Sequence, residues 1–435
     1  MKKLTLIFIF ALALNTAFAA RWYATPLGNG AGTSWANPTN LRVALINATS
    51  GDEIWVKADI YTSYLTSAAS TFTIKSGVAM YGGFAGTETA LAQRNFVTNV
   101  TVLDGSLNGN PYCTHVVTAS NTTANTRIDG FKIINGNADN NKGGGIYCNS
   151  GSPTIINCTF SNNKCIATGT TGQGAAIGVD GTSIPKIQNC AFINNSGVSI
   201  VYSSTGNLTK IQNCTFTYNQ ATSVFGGTAL IDRCKFSANI VSLSIINSFG
   251  SVTLTSSLIV GNSSTQYILY PYNNDNYINN TIAHNANTGA NIQWDGTGYY
   301  YGNNYIGQNS NNTMGGMYTG VPSTNSNSNQ PKFINGATAI DAPFDANDYD
   351  YHLQASSPLI DAGENNVAPV TNDLDNFPRI VGSSVDIGAY EYGTVGTFFD
   401  KDMSAAVTVT PNRSEERRVG KECCSWCIYR WSPYH

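Results

Sequence analysis

The feature that most limits what this chain can fold into is a short segment that occurs seven times at uneven spacing. It reads Asn157-Cys158-Thr159-Phe160-Ser161-Asn162-Asn163, then Asn189-Cys190-Ala191-Phe192-Ile193-Asn194-Asn195, then Asn213-Cys214-Thr215-Phe216-Thr217-Tyr218-Asn219. Weaker copies cover 233–239, 256–262, 279–285 and 303–309, so the final Asn falls at 163, 195, 219, 239, 262, 285 and 309. The intervals of 32, 24, 20, 23, 23 and 24 residues are the size of one solenoid coil. A unit that short cannot bury its own apolar face, so neighbouring copies must stack.

Within a copy the pattern has period 2, broken once. Cys158 and Phe160 alternate with Thr159 and Ser161, while Ile155 lies three residues before the Cys, so the inward parity slips at Asn157. A strand, a one-residue corner and a second strand account for this. Asn suits the corner because it tolerates left-handed backbone. Stacked about 4.8 Å apart, the copies predict two inward columns. One holds Phe160, Phe192, Phe216, Phe236, Ile259, Ile282 and Ile306; the other holds Ile155, Ile187, Ile211, Ile231 and Leu254. The expected fold is all-β, a right-handed parallel β-helix. A leucine-rich repeat would need Leu-rich coils of regular length, and these are Asn-, Gly- and Thr-rich.

Composition agrees. Only 11% of residues are charged, too few for the Lys- and Glu-rich faces of a helical protein, whereas 23 Tyr, 18 Phe and 6 Trp supply a core. The formal charge is −3, and the body without its two ends is more acidic still, so nucleic acid is not an expected partner.

The ends are read separately. Residues 1–19 have Lys2 and Lys3, an apolar run from Leu4 to Leu14 and the small-residue pattern Ala17-Phe18-Ala19, as in a cleaved secretory signal. No later run is long enough to span a membrane, so the mature chain is expected outside the cell or on its surface. Residues 413–435 abruptly bring eight charges and three cysteines. Arg413 to Cys423 resembles the conceptual translation of a sequencing adapter, and the segment is set aside. The expected division is a β-helix with its N-terminal cap over 20–335, a C-terminal capping module over 336–393 and a linker over 394–412. The short helix pattern Leu41, Ala44, Leu45, Ala48 is expected to cover the first coil, since open strand edges recruit other chains.

Several segments resemble exported, pectin-lyase-like β-helix proteins of Bacteroidetes type. They are Gly143-Gly144-Gly145-Ile146-Tyr147, the Asn-Cys-x-Phe coils, Arg21-Trp22-Tyr23, Ser34-Trp35-Ala36 and Gly51 to Val56. Ser357 to Gly363, Asp373-Leu374-Asp375 and Val385 to Tyr392 look like the C-terminal module that accompanies surface anchoring in such proteins. Val407 to Asn412 resembles the start of a type IX sorting domain. The resemblance implies the fold and admits polysaccharide lyases and hydrolases, yet function rests on a site and not on a fold.

Of the family's enzymatic signals, no Gly-His-Gly segment occurs. Between 140 and 300 the acids are Asp180, Asp232, Asp275 and Asp295, at unlike positions in their coils, so they are not expected to form a calcium-holding cluster. Lys186 and Lys210 each sit four residues before a coil Cys and should stack, where an anionic glycan would bridge them. Nine aromatic residues between Tyr267 and Tyr305, among them Tyr270, Tyr272, Trp294 and Tyr299, are candidate stacking surfaces for sugar. In the module, Asp345, Asp348, Asp350, Asp373 and Asp375 are candidate oxygen ligands for calcium. Cys158, Cys190, Cys214 and Cys234 share the inward position and read as a free-thiol ladder. The expected function is a non-catalytic, surface-displayed scaffold for an extracellular polysaccharide or cell-surface glycan. The alternative is a polysaccharide lyase or glycoside hydrolase.

Overall fold

The structure, a computed structural model, describes residues 19–62, 67–106, 112–165, 173–204, 206, 208–272, 274–293, 300–302, 304–307, 309–310, 314–315, 331–337, 341–365 and 372–393. Three strands per coil stack in parallel register as a right-handed β-helix. The first facet includes Thr154–Ile156, Lys186–Gln188 and Thr209–Gln212. The second is a ten-stranded sheet running from Ile60–Thr62 to Tyr305–Gly307. The third includes Ile146–Asn149, Ile177–Asp180 and Ser196–Ser203.

Both expected columns form. Phe160, Phe192, Phe216 and Phe236 are in register and stack face to face at centroid distances of 5.0, 4.5 and 4.6 Å. Each such pair adds about 0.5–1.5 kcal/mol beyond its buried area. Ile259, Ile282 and Ile306 continue the column. The Ile column continues through Leu254 to Tyr277, whose hydroxyl donates to Asp275 at 2.8 Å.

The corner between the first two facets is left-handed in every described copy, with φ of 54° at Asn157, 49° at Asn189, 52° at Asn213 and 56° at Asn279. Arg233 and Ser256 adopt it as well, so stacking overrides the modest local preference against αL. A second left-handed corner follows at Asn162, Asn194, Tyr218, Ala238, Gly261 and His284; its varied residues hid it from the sequence.

The recurring final Asn has a different task. Asn163, Asn195, Asn219, Asn239, Asn262 and Asn285 point inward and are fully shielded from solvent. Each side-chain oxygen from Asn195 on accepts both the backbone N–H and the Nδ2 of the ladder Asn one coil earlier; for the Asn219–Asn239 step the distances are 3.1 and 2.9 Å. Nδ2 also reaches a main-chain carbonyl, as from Asn239 to Phe216 at 2.9 Å. These bonds supply partners for the strand-end groups that a bend would otherwise leave unpaired.

Cys158, Cys190, Cys214 and Cys234 are buried free thiols, as are Cys113, Cys148 and Cys165. Their column then changes chemistry. The Cys234 N–H donates to Ser257 Oγ at 3.0 Å, Ser257 N–H to Asn280 Oδ1 at 3.0 Å, and Asn280 N–H to Asn304 Oδ1 at 2.9 Å.

The helix Leu41–Asn47 buries Leu41, Ala44 and Leu45 in the main core, and Asn40 caps it by accepting from Arg42 N–H at 2.9 Å. At the other end, the described contacts of the expected C-terminal capping module run along the flank of the second facet. There Phe333, Phe344, Tyr351, Leu353, Leu359 and Ile387 cover Leu258, Val260, Ala283 and Tyr305. The reason is local: these late coils turn apolar side chains outward where earlier coils show Thr159 or Thr215. Buried Arg379 ties the segment down, with Nη2 donating to Ser256 Oγ at 3.2 Å and to the Gly388 carbonyl at 2.7 Å.

Candidate functional site: an aromatic groove on the third facet

Along the outward side of the third facet, Tyr147, Gly178, Tyr202 and Gly226 lie in register on successive coils, followed by Asn247 and Tyr270. Aromatic rings thus alternate with glycines. A Cβ on Gly178 would lie 2.4 Å from the Gly143 nitrogen, so its absence lets the loop bearing Lys142 settle on the strand. A Cβ on Gly226 would lie in ordinary contact with the Phe249 ring at 3.4 Å and Tyr202 at 3.8 Å, so this position borders both rings.

The result is an open groove of about 580 Å³ lined by Asn140, Asn141, Lys142, Tyr147, Gln173, Asp180, Tyr202 and Phe249. Lys142 Nζ pairs with Asp180 Oδ2 at 2.9 Å and lies 5.0 Å from the Tyr202 ring centroid. At one end His115 stacks on Tyr147 at 4.8 Å and holds the Gly143 carbonyl through Nδ1 at 2.9 Å. Burial lowers the His115 pKa despite that bond, so the ring is neutral at pH 7. Burial also raises the phenol pKa values of Tyr147 and Tyr202. Further along the column, Asn247 is buried and its side-chain oxygen has no hydrogen-bond partner. Rings, amides and a paired charge in one groove suit a ligand that offers apolar faces edged by hydroxyl groups.

The residues singled out in the sequence are dispersed. Lys186 and Lys210 do stack in register, exposed, but on the first facet. Tyr270 joins the aromatic column and stacks on Tyr267 at 5.5 Å. Tyr272 is 41% exposed and donates its N–H to Asp275. Trp294, Tyr299 and Asp295 lie outside the described residues. Tyr277 and Tyr305 are core residues, so the supposed aromatic surface is partly interior. Asp275 is buried and holds Ser248, Val252, Tyr272 and Tyr277 together, and His284 is buried against Tyr351.

The five module aspartates do not share a site. Asp345 caps the turn Ala346–Asp348, and Asp373 accepts from the N–H groups of Asp375, Phe377 and Glu391. Asp350 and Asp375 clasp His352 at 2.6 and 2.7 Å. Among the described residues no group of three or more His, Cys, Asp or Glu is placed to hold a metal ion, and no helix is long and apolar enough to cross a membrane.

Fold and groove together define a parallel β-helix with an aromatic-lined third facet. Among solved structures, the chain is similar to the crystal structure of pectate lyase Pel9A, at 15% identity and a TM-score of 0.52, over 86% of this chain and 96% of that one. No protein-family model and no curated protein sequence matches the chain. At that identity the likeness establishes the fold alone.

Proposed function

We propose that the chain is an exported, surface-displayed β-helix that holds an extracellular polysaccharide or cell-surface glycan in the third-facet groove without cleaving it. The observation behind this reading is the alternation of Tyr147 and Tyr202 with Gly178 and Gly226, with Phe249 seated beside Tyr202. Rings two coils apart are about 10 Å apart along the axis, a spacing suited to successive faces of an extended sugar chain. Tyr270 extends the strip, and Tyr272, Trp294, Tyr299, Lys186 and Lys210 are auxiliary contacts in this reading. Export rests on the signal-like residues 1–19, and surface retention on the module of 336–393.

A second reading, an extracellular polysaccharide lyase or glycoside hydrolase, is favoured by one observation: a lysine and a carboxylate lie 2.9 Å apart inside the groove. One experiment separates the two. The full chain is incubated with neutral and acidic polysaccharides, with and without calcium, while polymer length, unsaturated-product absorbance and retention on immobilised polymer are followed. Retention without shortening, lost in Tyr202→Ala and restored in Tyr202→Trp, is the expected result. Depolymerisation that vanishes in Lys142→Met establishes the enzyme instead.

A further inference from the structure

We propose that the third-facet groove selects an uncharged polysaccharide, a polymer of neutral sugars, and discriminates against uronic-acid chains. This rests on the glycan-binding reading above and adds the substrate class.

The argument is one of charge. Among the described residues, the lining comprises three aromatics, three side-chain amides, one cation and one anion. Cation and anion are already joined, Lys142 Nζ to Asp180 Oδ2 at 2.9 Å, and both are largely shielded, at 23% and 33% exposure. An incoming carboxylate that took one of the remaining Lys142 protons would lie beside the like-charged Asp180, and the pair as a whole offers it no net positive charge. Hydroxyl groups meet no such cost. Asn140, Asn141 and Gln173 are uncharged, and the lysine and aspartate retain lone pairs and protons beyond those used on each other. His115, behind Tyr147, adds no positive charge at neutral pH.

The test is affinity electrophoresis of the full chain in gels containing xyloglucan, glucomannan or mixed-linkage β-glucan, against polygalacturonate and alginate, at low and high NaCl. Retardation by at least one neutral polymer, insensitive to salt, is expected, with none by the acidic polymers. Asp180→Asn frees Lys142 and is expected to gain about five- to tenfold in retention on polygalacturonate, a gain that high salt removes. Circular dichroism and thermal melting confirm that this variant is folded. Wild-type retention by acidic polymers alone, falling with salt, overturns the selectivity while leaving the glycan groove standing. Retention by no polymer, or retention unaffected by Tyr147→Ala and Tyr202→Ala, overturns the groove reading and the selectivity with it.

Discussion

Replacing Asn239 by Ala tests the inward ladder directly. The change strips the acceptor from the Asn219 N–H at 3.1 Å and from Asn219 Nδ2 at 2.9 Å, and the donor from the Phe216 carbonyl at 2.9 Å; Asn262 Oδ1 also loses Asn239 Nδ2 at 2.8 Å but keeps the residue 239 N–H. Ladder residues 219 and 239 are fully shielded, so water does not replace these partners without opening the coil. An orphaned buried polar group costs about 1–3 kcal/mol. With one of the three recovered by relaxation, the loss is about 2–6 kcal/mol, a large part of a typical domain's stability. The control is Asn213→Ala at the outer corner. There the side chain bonds Asn189 at 2.9 Å in an exposed position, and the cost of Ala at φ 52° is about 1–2 kcal/mol. Urea unfolding followed by tryptophan fluorescence gives the two losses, and hydrogen exchange reads the Asn219 amide. Equal losses for the two variants, with Asn219 protection unchanged, would refute the claim that the ladder holds the coils.

Two further predictions concern buried titratable groups. Burial raises the Asp275 pKa to about 6 and the Glu391 pKa to about 7. The folded state therefore holds protons that the unfolded chain releases, and this stability is complete below the unfolded pKa and lost as pH rises through those values, about 3 kcal/mol per group at most. Thermal melts should fall from about pH 4 to pH 7 and level off above that, and Glu391→Gln should flatten the slope; an unchanged slope would show that Glu391 does not titrate there. The seven body cysteines should resist iodoacetamide in the folded protein and react after unfolding, since burial pushes the Cys148 and Cys165 thiols up to about 12. Peptide mapping by mass spectrometry checks this residue by residue, and labelling of Cys190 or Cys214 in native protein would count against the buried column.

The inward columns were legible because every coil must solve the same burial problem with the same side chains, so Phe, Ile and Cys recur in phase. The groove was not. Its loop, Asn140 to Gly144, occurs once and belongs to no repeat, and Asp180, weighed only against the other acids of the coils, carries no sign in the sequence that Lys142 on that loop is its partner. The turns between the third and first facets also vary in length, which scrambles the outward column when counted back from the repeat. Counted forward, a signal exists. Tyr202 and Gly226 each follow their ladder Asn by seven residues, and Asn247 and Tyr270 by eight. The flank-bound C-terminal segment was only partly readable: Leu258 and Tyr305 stand where Thr159 and Thr215 stand in earlier coils, but Ala191 and Ile193 show that an apolar residue on this face does not by itself mark the flank that the segment covers.

The change of column chemistry between Cys234 and Ser257 bears on how a chain of look-alike coils finds its partners. A stack in which every rung is interchangeable invites slippage, because a coil docked one rung out of place makes the same contacts. Here the thiol rungs give way to Ser257, Asn280 and Asn304 just where the Phe stack gives way to Ile259. A one-rung slip across that boundary would set a thiol against an amide-bearing neighbour and leave donors facing no acceptor. The boundary thus works as an address within the repeat, penalising misaligned assembly in a region where hydrophobicity alone would accept it.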